Sequence, residues 1–303
     1  VAAKNARAII AAARRELKET NSADPLGTLW NDLELLEWAN EGQDQIAGQI
    51  VDLQEDFFGY YFDITALPGV AIYDLPSRFI RMRSVEYVVN GARDPVLESR
   101  VTSITPPVLT PSQDPTVAAS FAYTLFGDQI HFDPPPQASA VPTFRCWFNG
   151  EAPELTFGKA EAGGASTITL QASDAADFSG AAADPTDHYY DQVVIGITEG
   201  VGAGQRRRIS GYVGATRVAT VETPWTTQPD TTSLYATETM IPKPVWRMVQ
   251  LFTAIAAKGK YNQNTAQLVA RYNALEEEIP GLERRTGGSE RGIQPFDPWD
   301  GMY

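Results

Sequence analysis

Several groups of residues in this chain have types and spacings that bear on chemistry. Gly200-Val201-Gly202-Ala203-Gly204 has the glycine density of a phosphate-cradling loop. Such a loop works when it leads from a strand into a helix, with Lys-Ser/Thr following it. Here it lies between two strand-like runs and no Lys-Ser/Thr follows, so it reads as a hairpin turn that needs positive φ. Glu276-Glu277-Glu278 has the donors of a metal clamp but sits at the end of a predicted helix, where a solvated face is the simpler reading. Asp174, Asp177, Asp184, Asp187 and Asp191 crowd one stretch with hard oxygen donors suited to Ca²⁺. They follow neither EF-hand order nor a glycine-aspartate repeat, and the sequence leaves a cation there open. Asp187-His188 has the form of an acid/base pair, yet G-x-S-x-G is absent and no nucleophile motif stands beside it. His131 and His188, the two histidines, have no ligand-like spacing to one another. The expectation is a protein without catalytic residues, cofactor or metal, and not an enzyme. A cell-wall or polysaccharide hydrolase would need paired carboxylates in a cleft, which the sequence does not display.

The bulk properties bound the remaining classes. With 303 residues, 43% hydrophobic and 20% charged, the chain has the composition of one large or two ordinary globular domains. No run approaches the roughly 18 apolar residues of a membrane span. The opening VAAKNARAIIAAARREL is studded with Lys4, Arg7, Arg14 and Arg15 and lacks the pattern of a secretory signal. Cys146, alone in the aromatic run FRCWF, excludes an internal disulfide framework and reads as a buried thiol in a reducing cytoplasm. A formal charge of −14 argues against ordinary nucleic-acid binding, because the basic clusters Arg206-Arg207-Arg208 and Arg284-Arg285 are short. The aromatic segment Phe57–Phe62 could serve as a base-stacking platform, but the acidic balance favours a packed core or a subunit contact.

The elements that must position these residues begin with Leu29–Leu53. Leu29, Leu33, Leu36, Ala39, Ile46, Ile50 and Leu53 share one helical face. Asn31 caps that helix, Glu34 is spaced to bond back to the cap, and Trp30 can fold over Leu35. Trp38 faces away from the stripe, toward the β segments or a neighbouring subunit. A first helix over residues 3–19 carries Ala6, Ile9, Ile10, Ala13 and Leu17, and the break at Asp24-Pro25 makes the two helices antiparallel neighbours. Aromatic and β-branched runs follow. In FIRMRSVEYVV, residues 79 to 89, Phe79, Arg81, Arg83, Val85, Tyr87 and Val89 alternate with the other set, and Asn90-Gly91 signals a hairpin. Asp94 to Pro115 reads as an extended proline- and threonine-rich arm, AYTLFGDQIHF as a second hairpin, and TFRCWF as a last strand.

From about Glu151 to Glu238 the composition shifts to Gly, Ala, Thr and Asp, with strand-like runs TITL, QVVIGITE, RRRISGYV, RVATVE and SLYA. These predict an all-β insert, a small barrel or sandwich, edged by Pro153 and Pro242. Helices return over 243–261 and 264–279, with Asn264 as a cap. The expected class is α+β. The first part, 1–150, and the second, 242–282, together build a helical bundle core with β-hairpins. A β domain at 151–241 is inserted between them, and an extended tail covers 283–303. That tail carries isolated apolar anchors Ile293, Phe296, Trp299 and Tyr303 after a Gly-Gly-Ser segment, and cannot fold on itself.

LWNDLELLEWANEGQDQIAGQI, the aromatic stretch after it, YDLPSRFIRMRSVEYV and the C-terminal helix pair together resemble the head–tail adaptors of tailed bacteriophages, in particular the tail accessory (head-completion) factors of short-tailed phages. The resemblance covers about residues 3–90 and 243–280. It implies a virion structural protein assembled in the host cytoplasm, a homo-oligomeric ring of twelve copies beneath the portal protein, and a C-terminal tail that docks on the portal. Ile293, Phe296, Trp299 and Tyr303 are then the portal-contact candidates. Genomic DNA would pass through the channel without specific binding, and no membrane is involved. The insert resembles a module of phage structural proteins, and Arg206, Arg207, Tyr212 and Trp225 are its candidate contacts to tail nozzle, fibre or spike proteins. The alternative is a tail-fibre or baseplate component whose β domain contacts the host surface.

Overall fold

The structure, a computed structural model, describes residues 5–17, 30–53, 58–89, 92–98, 121–136, 143–242 and 245–280. Helix α1 spans Ala6–Leu17 and α2 spans Asp32–Leu53. The α1 stripe of Ala6, Ile9, Ile10, Ala13 and Leu17 is buried as its spacing predicts. Arg14 is buried too, donating to Asp32 Oδ1 at 2.6 Å and to the Trp30 carbonyl at 3.0 Å, and so ties α1 to the start of α2. Asn31 caps α2, its Oδ1 accepting from the Glu34 amide at 2.7 Å. The expected return bond from Glu34 is not made. Its carboxylate pairs with Lys260 instead, because a charged partner from the next helix holds it better than one amide.

Helices α3, Arg247–Lys260, and α4, Ala266–Glu276, complete the α layer. Helix α3 packs against α1, α2 and α4, which makes it, and not α2, the centre of that layer. Gly42 marks the α2–α3 crossing: a Cβ there would lie 2.7 Å from Phe252, so only glycine permits this approach. Trp38 is partly buried against the core cluster, and Lys260 Nζ of α3 lies 5.9 Å from its ring centre. An independent helical bundle is not what forms. The buried helix residues are continuous with Tyr60, Phe62, Phe144 and Phe148 of a sheet, so the helices are one layer of a mixed α/β core.

That sheet comprises β1 Gly59–Thr65, β2 Ile72–Asp74, β3 Phe79–Val89, β4 Ala92–Glu98, β5 Ala122–Phe126, β6 Gln129–Asp133 and β7 Thr143–Gly150, in the order β1-β7-β3-β4-β5-β6-β2. Pairing is antiparallel except between β4 and β5. The sheet folds over at that junction, and Phe132 of β6 stacks on Phe144 of β7 at 4.1 Å. Simple alternation puts Arg81 and Arg83 on the same face as Val85 and Tyr87. The register to β7 instead slips between Phe79 and Arg81 and between Met82 and Ser84. Each bulge adds a residue, so Met82 joins Phe79, Val85 and Tyr87 at the core and the two arginines are exposed. The expected arm from Asp94 is also corrected at its start, since residues 94–98 belong to β4 and pair with both neighbours.

A second sheet comprises β8 Phe157–Lys159, β9 Ala162–Gly163, β10 Thr167–Thr169, β11 Val194–Glu199, β12 Arg206–Val213, β13 Val218–Val221 and β14 Leu234–Thr237, in the order β8-β14-β11-β12-β13-β10-β9. Its two ends, β8 and β9, are one bent stretch of chain. The Ala160 amide bonds Ser233 on the β14 side, and the Glu161 amide bonds Thr169 of β10. The sheet therefore closes into a small barrel around its own cluster of Ile168, Val193, Ile195, Ile209, Tyr212 and Tyr235. Closure removes the free edges that so small a sheet would otherwise expose.

Candidate interaction surface

Most of the residues singled out for chemistry are held as structure. The glycine loop is the β11–β12 turn, with φ of +79°, +83° and +88° at Gly200, Gly202 and Gly204. The amides of Ala203, Gly204 and Gln205 bond the carbonyls of Gly200, Ile197 and Gly202, as in a hairpin turn. Asp174, Asp177, Asp184 and Asp187 each accept a backbone amide, from Ala182, Ser179, Thr186 and Gly214 respectively. Among the described residues no three His, Cys, Asp or Glu side chains converge to hold a metal ion. His188 pairs with Asp191 at 2.8 Å, and not with Asp187. That hydrogen bond raises the imidazole above its usual pKa. Glu276 accepts from Gln49 of α2 at 2.5 Å.

The aromatic platform is divided by strand alternation. Phe58, Tyr60 and Phe62 are in the core, and Tyr61 lies on the outer face with Trp147 and the Arg145–Asp63 ion pair. Cys146 is fully buried, and burial pushes its thiol far up in pKa. The four tail-contact candidates do not share a surface. Tyr212 is inside the barrel, donating to the Asp184 carbonyl at 2.6 Å, and Trp225 is buried beneath the Arg207 guanidinium. Arg207 also donates to the Pro224 carbonyl and Thr226 Oγ1. Arg206 extends over the surface to a two-pronged pair with Glu238. Ile209 and Tyr212 are three residues apart on β12, and the bulge between Ile209 and Gly211 is what brings both to the inside. The portal-contact candidates Ile293, Phe296, Trp299 and Tyr303 lie outside the described residues, as does the arm from 99 to 120.

Two features that the sequence gives no sign of stand out. The first is the junction between helices and barrel. Gln43 is fully buried on α2, donating to the Pro153 carbonyl at 2.8 Å and accepting from Thr239 Oγ1 at 2.7 Å. One side chain thus holds both connections to the barrel. Asn40, one turn earlier, brackets Leu155 by accepting from its amide at 2.8 Å and donating to its carbonyl at 3.2 Å. Arg78, buried over the Tyr60 ring, donates to the Asp191 carbonyl of the barrel at 3.0 Å, and Arg7 of α1 pairs with Glu199 at 3.0 Å. Acidic groups crowd the same junction. Desolvation, then the charges of Glu154 and Glu151, pushes Asp44 up to about 6, and burial raises Glu154 as well.

The second feature is an apolar face at the β2 edge. Phe126 is 75% exposed, Leu67 56% and Ile72 46%, with Val70 beside them in sequence. Ile72 is paired across to His131, and the Phe126 ring lies 6.2 Å from that imidazole. The Tyr73 hydroxyl accepts from the Leu67 amide at 2.8 Å and bonds the Val70 carbonyl at 3.2 Å, so the loop bearing these side chains is fixed.

A family model described as SU10 adaptor protein matches residues 4–160. That range takes in α1, α2, the whole first sheet and the first strand of the barrel. No curated protein matches the chain. No helix among the described residues is long and apolar enough to cross a membrane. Because the match spans more than half of the 303 residues, this chain belongs to the SU10 adaptor protein family.

Proposed function

We propose that the chain is a structural adaptor of the bacteriophage virion. Copies of it form a ring beneath the portal protein, extend the DNA channel and receive tail components. The family match over residues 4–160 carries this reading. The way the barrel is mounted supports it. Gln43, Asn40, Arg78 and Arg7 fasten it at several points, as suits a part that transmits a defined position to a neighbour. In this reading the protein is not an enzyme, and the acidic side chains that the sequence supplies in excess let a duplex slide past without binding. The barrel is the part offered to nozzle, fibre or spike proteins. The tail, through Ile293, Phe296, Trp299 and Tyr303, is the part offered to the portal, where Phe296 and Trp299, each directly after a proline, gain more from a groove than from solvent.

The test is to mix the protein with purified portal rings and measure co-sedimentation and the mass of the complex. The same is done with a chain truncated after Gly287. Many copies per portal, lost on truncation with helical signal intact, is the expected result. Failure of the full chain to associate with portal rings would overturn the adaptor reading. Unchanged binding of the truncated chain would remove the tail from it.

A further inference from the structure

Among the described residues nothing covers the apolar face at the β2 edge, and the chain contains a segment longer than its local connection requires. Strand β4 ends at Glu98, which pairs with Tyr123 of β5, and the described chain resumes at Phe121. At about 3.4 Å per residue along a strand and about 4.8 Å between strands, Glu98 and Phe121 are roughly 8 Å apart. Three or four residues would span that distance at about 3.3 Å each, but the two strands are parallel, and a parallel crossover takes about a dozen. The sequence places 22 residues there, from Ser99 to Ser120. They are rich in Thr, Pro, Ser and Val, with Ile104 and Leu109 among them, and their only charges are Arg100 and Asp114. In a chain of formal charge −14 this is a near-neutral stretch, one that a second copy can approach without electrostatic cost.

The face near which this segment leaves has matching chemistry. Ile72, Phe126 and His131 lie on one side of β2, β5 and β6, and among the described strands β2 is an edge strand. The Nε2 atom of His131 is shielded from solvent and has no hydrogen-bond partner among the described residues, which an added strand or loop backbone would supply. Phe126 is three-quarters exposed, as a side chain offered to another molecule would be. We propose that residues 99–120 of one copy dock on the Leu67, Val70, Ile72 and Phe126 face of the next, linking neighbours around the ring. This rests on the ring reading above and adds the contact that builds it.

The test is disulfide trapping in full-length protein assembled on portal rings. Cys146 is fully buried and does not compete. Phe126→Cys combined with Leu109→Cys should give a ladder of covalent multimers under mild oxidation, while each single variant should give none beyond dimers. A disulfide confined to the monomer, or none, would overturn the inference. As a second measurement, Phe126→Asp should raise the protein concentration needed for assembly about tenfold or more, as expected for loss of one buried aromatic anchor. If Phe126→Asp assembles like the unaltered chain, the docking face is refuted while the adaptor reading stands. If the unaltered chain forms no oligomer on the portal, both fall together.

Discussion

Gln43→Ala is the substitution that tests most directly how the barrel is mounted. The side chain is fully buried, and its two hydrogen bonds, to the Pro153 carbonyl and from Thr239 Oγ1, are the links from α2 to the two connections. Each neutral buried bond contributes about 1 kcal/mol net, and stranding its partner costs about 1 kcal/mol or more. Thr239 Oγ1 keeps a second bond, from the Ile241 amide at 3.1 Å, so its loss is partial, whereas the Pro153 carbonyl is left alone. With a cavity in place of the side chain, the loss should be about 2–4 kcal/mol. Gln43→Leu fills most of that volume but restores neither bond, and should cost about 2 kcal/mol. Combining it with Thr239→Val should give no net recovery, since the second change removes the stranded hydroxyl donor but takes the acceptor away from the buried Ile241 amide. The assay is urea unfolding followed by tryptophan fluorescence, alongside limited proteolysis scored for cuts in 151–156 and 237–242. A loss below about half a kcal/mol for Gln43→Ala, with proteolysis unchanged, would refute the idea that one glutamine holds both connections.

Asp44 carries a pH dependence of definite sign. Its folded pKa, about 6, is raised from 3.8, so folding favours the protonated form, and stability falls as pH rises from about 4 to about 6. Asp44→Asn removes that loss and should be the more stable protein at pH 7. Solvent screening of this half-exposed group reduces the gain to about 1 kcal/mol, and the two melting temperatures should converge near pH 4. Equal pH profiles would show that neither burial nor the charges of Glu154 and Glu151 raise Asp44. Replacing residues 159–234 by a short Gly-Ser turn should preserve the helical circular dichroism, because Gly158 and Tyr235 are directly paired and the new turn closes a hairpin. Loss of helical signal would show that the α layer depends on the barrel. Leu36→Ala, in the body cluster, should cost about 2–4 kcal/mol by thermal or urea unfolding, and a neutral result would misplace α2.

The sequence by itself determined what local chemistry determines. The α1 stripe, the Asn31 cap, the two-residue turn at Gly127-Asp128 and the strands of the barrel follow from spacing and from glycine, asparagine and proline, which act within a few residues. The turn reading of Gly200–Gly204 was legible for the same reason, since positive φ is a property of single residues. Contacts between residues far apart in the chain were not legible. Glu34 left its cap for Lys260, and Trp38 met α3, because both depend on where a helix 200 residues later comes to lie. The bulges in β3 were hidden, since a pattern of alternation does not tell where the partner strand slips, and that slip alone decides whether Arg81 and Arg83 face the core or solvent. Tyr212 and Trp225 read as surface contacts because exposure is set by closure of the barrel, which the pairings of Ala160 and Glu161 bring about. Gln43 gave no signal at all. A lone glutamine on a helix becomes a clamp only when two distant carbonyl- and hydroxyl-bearing segments arrive on either side of it, and only the tertiary structure brings them there.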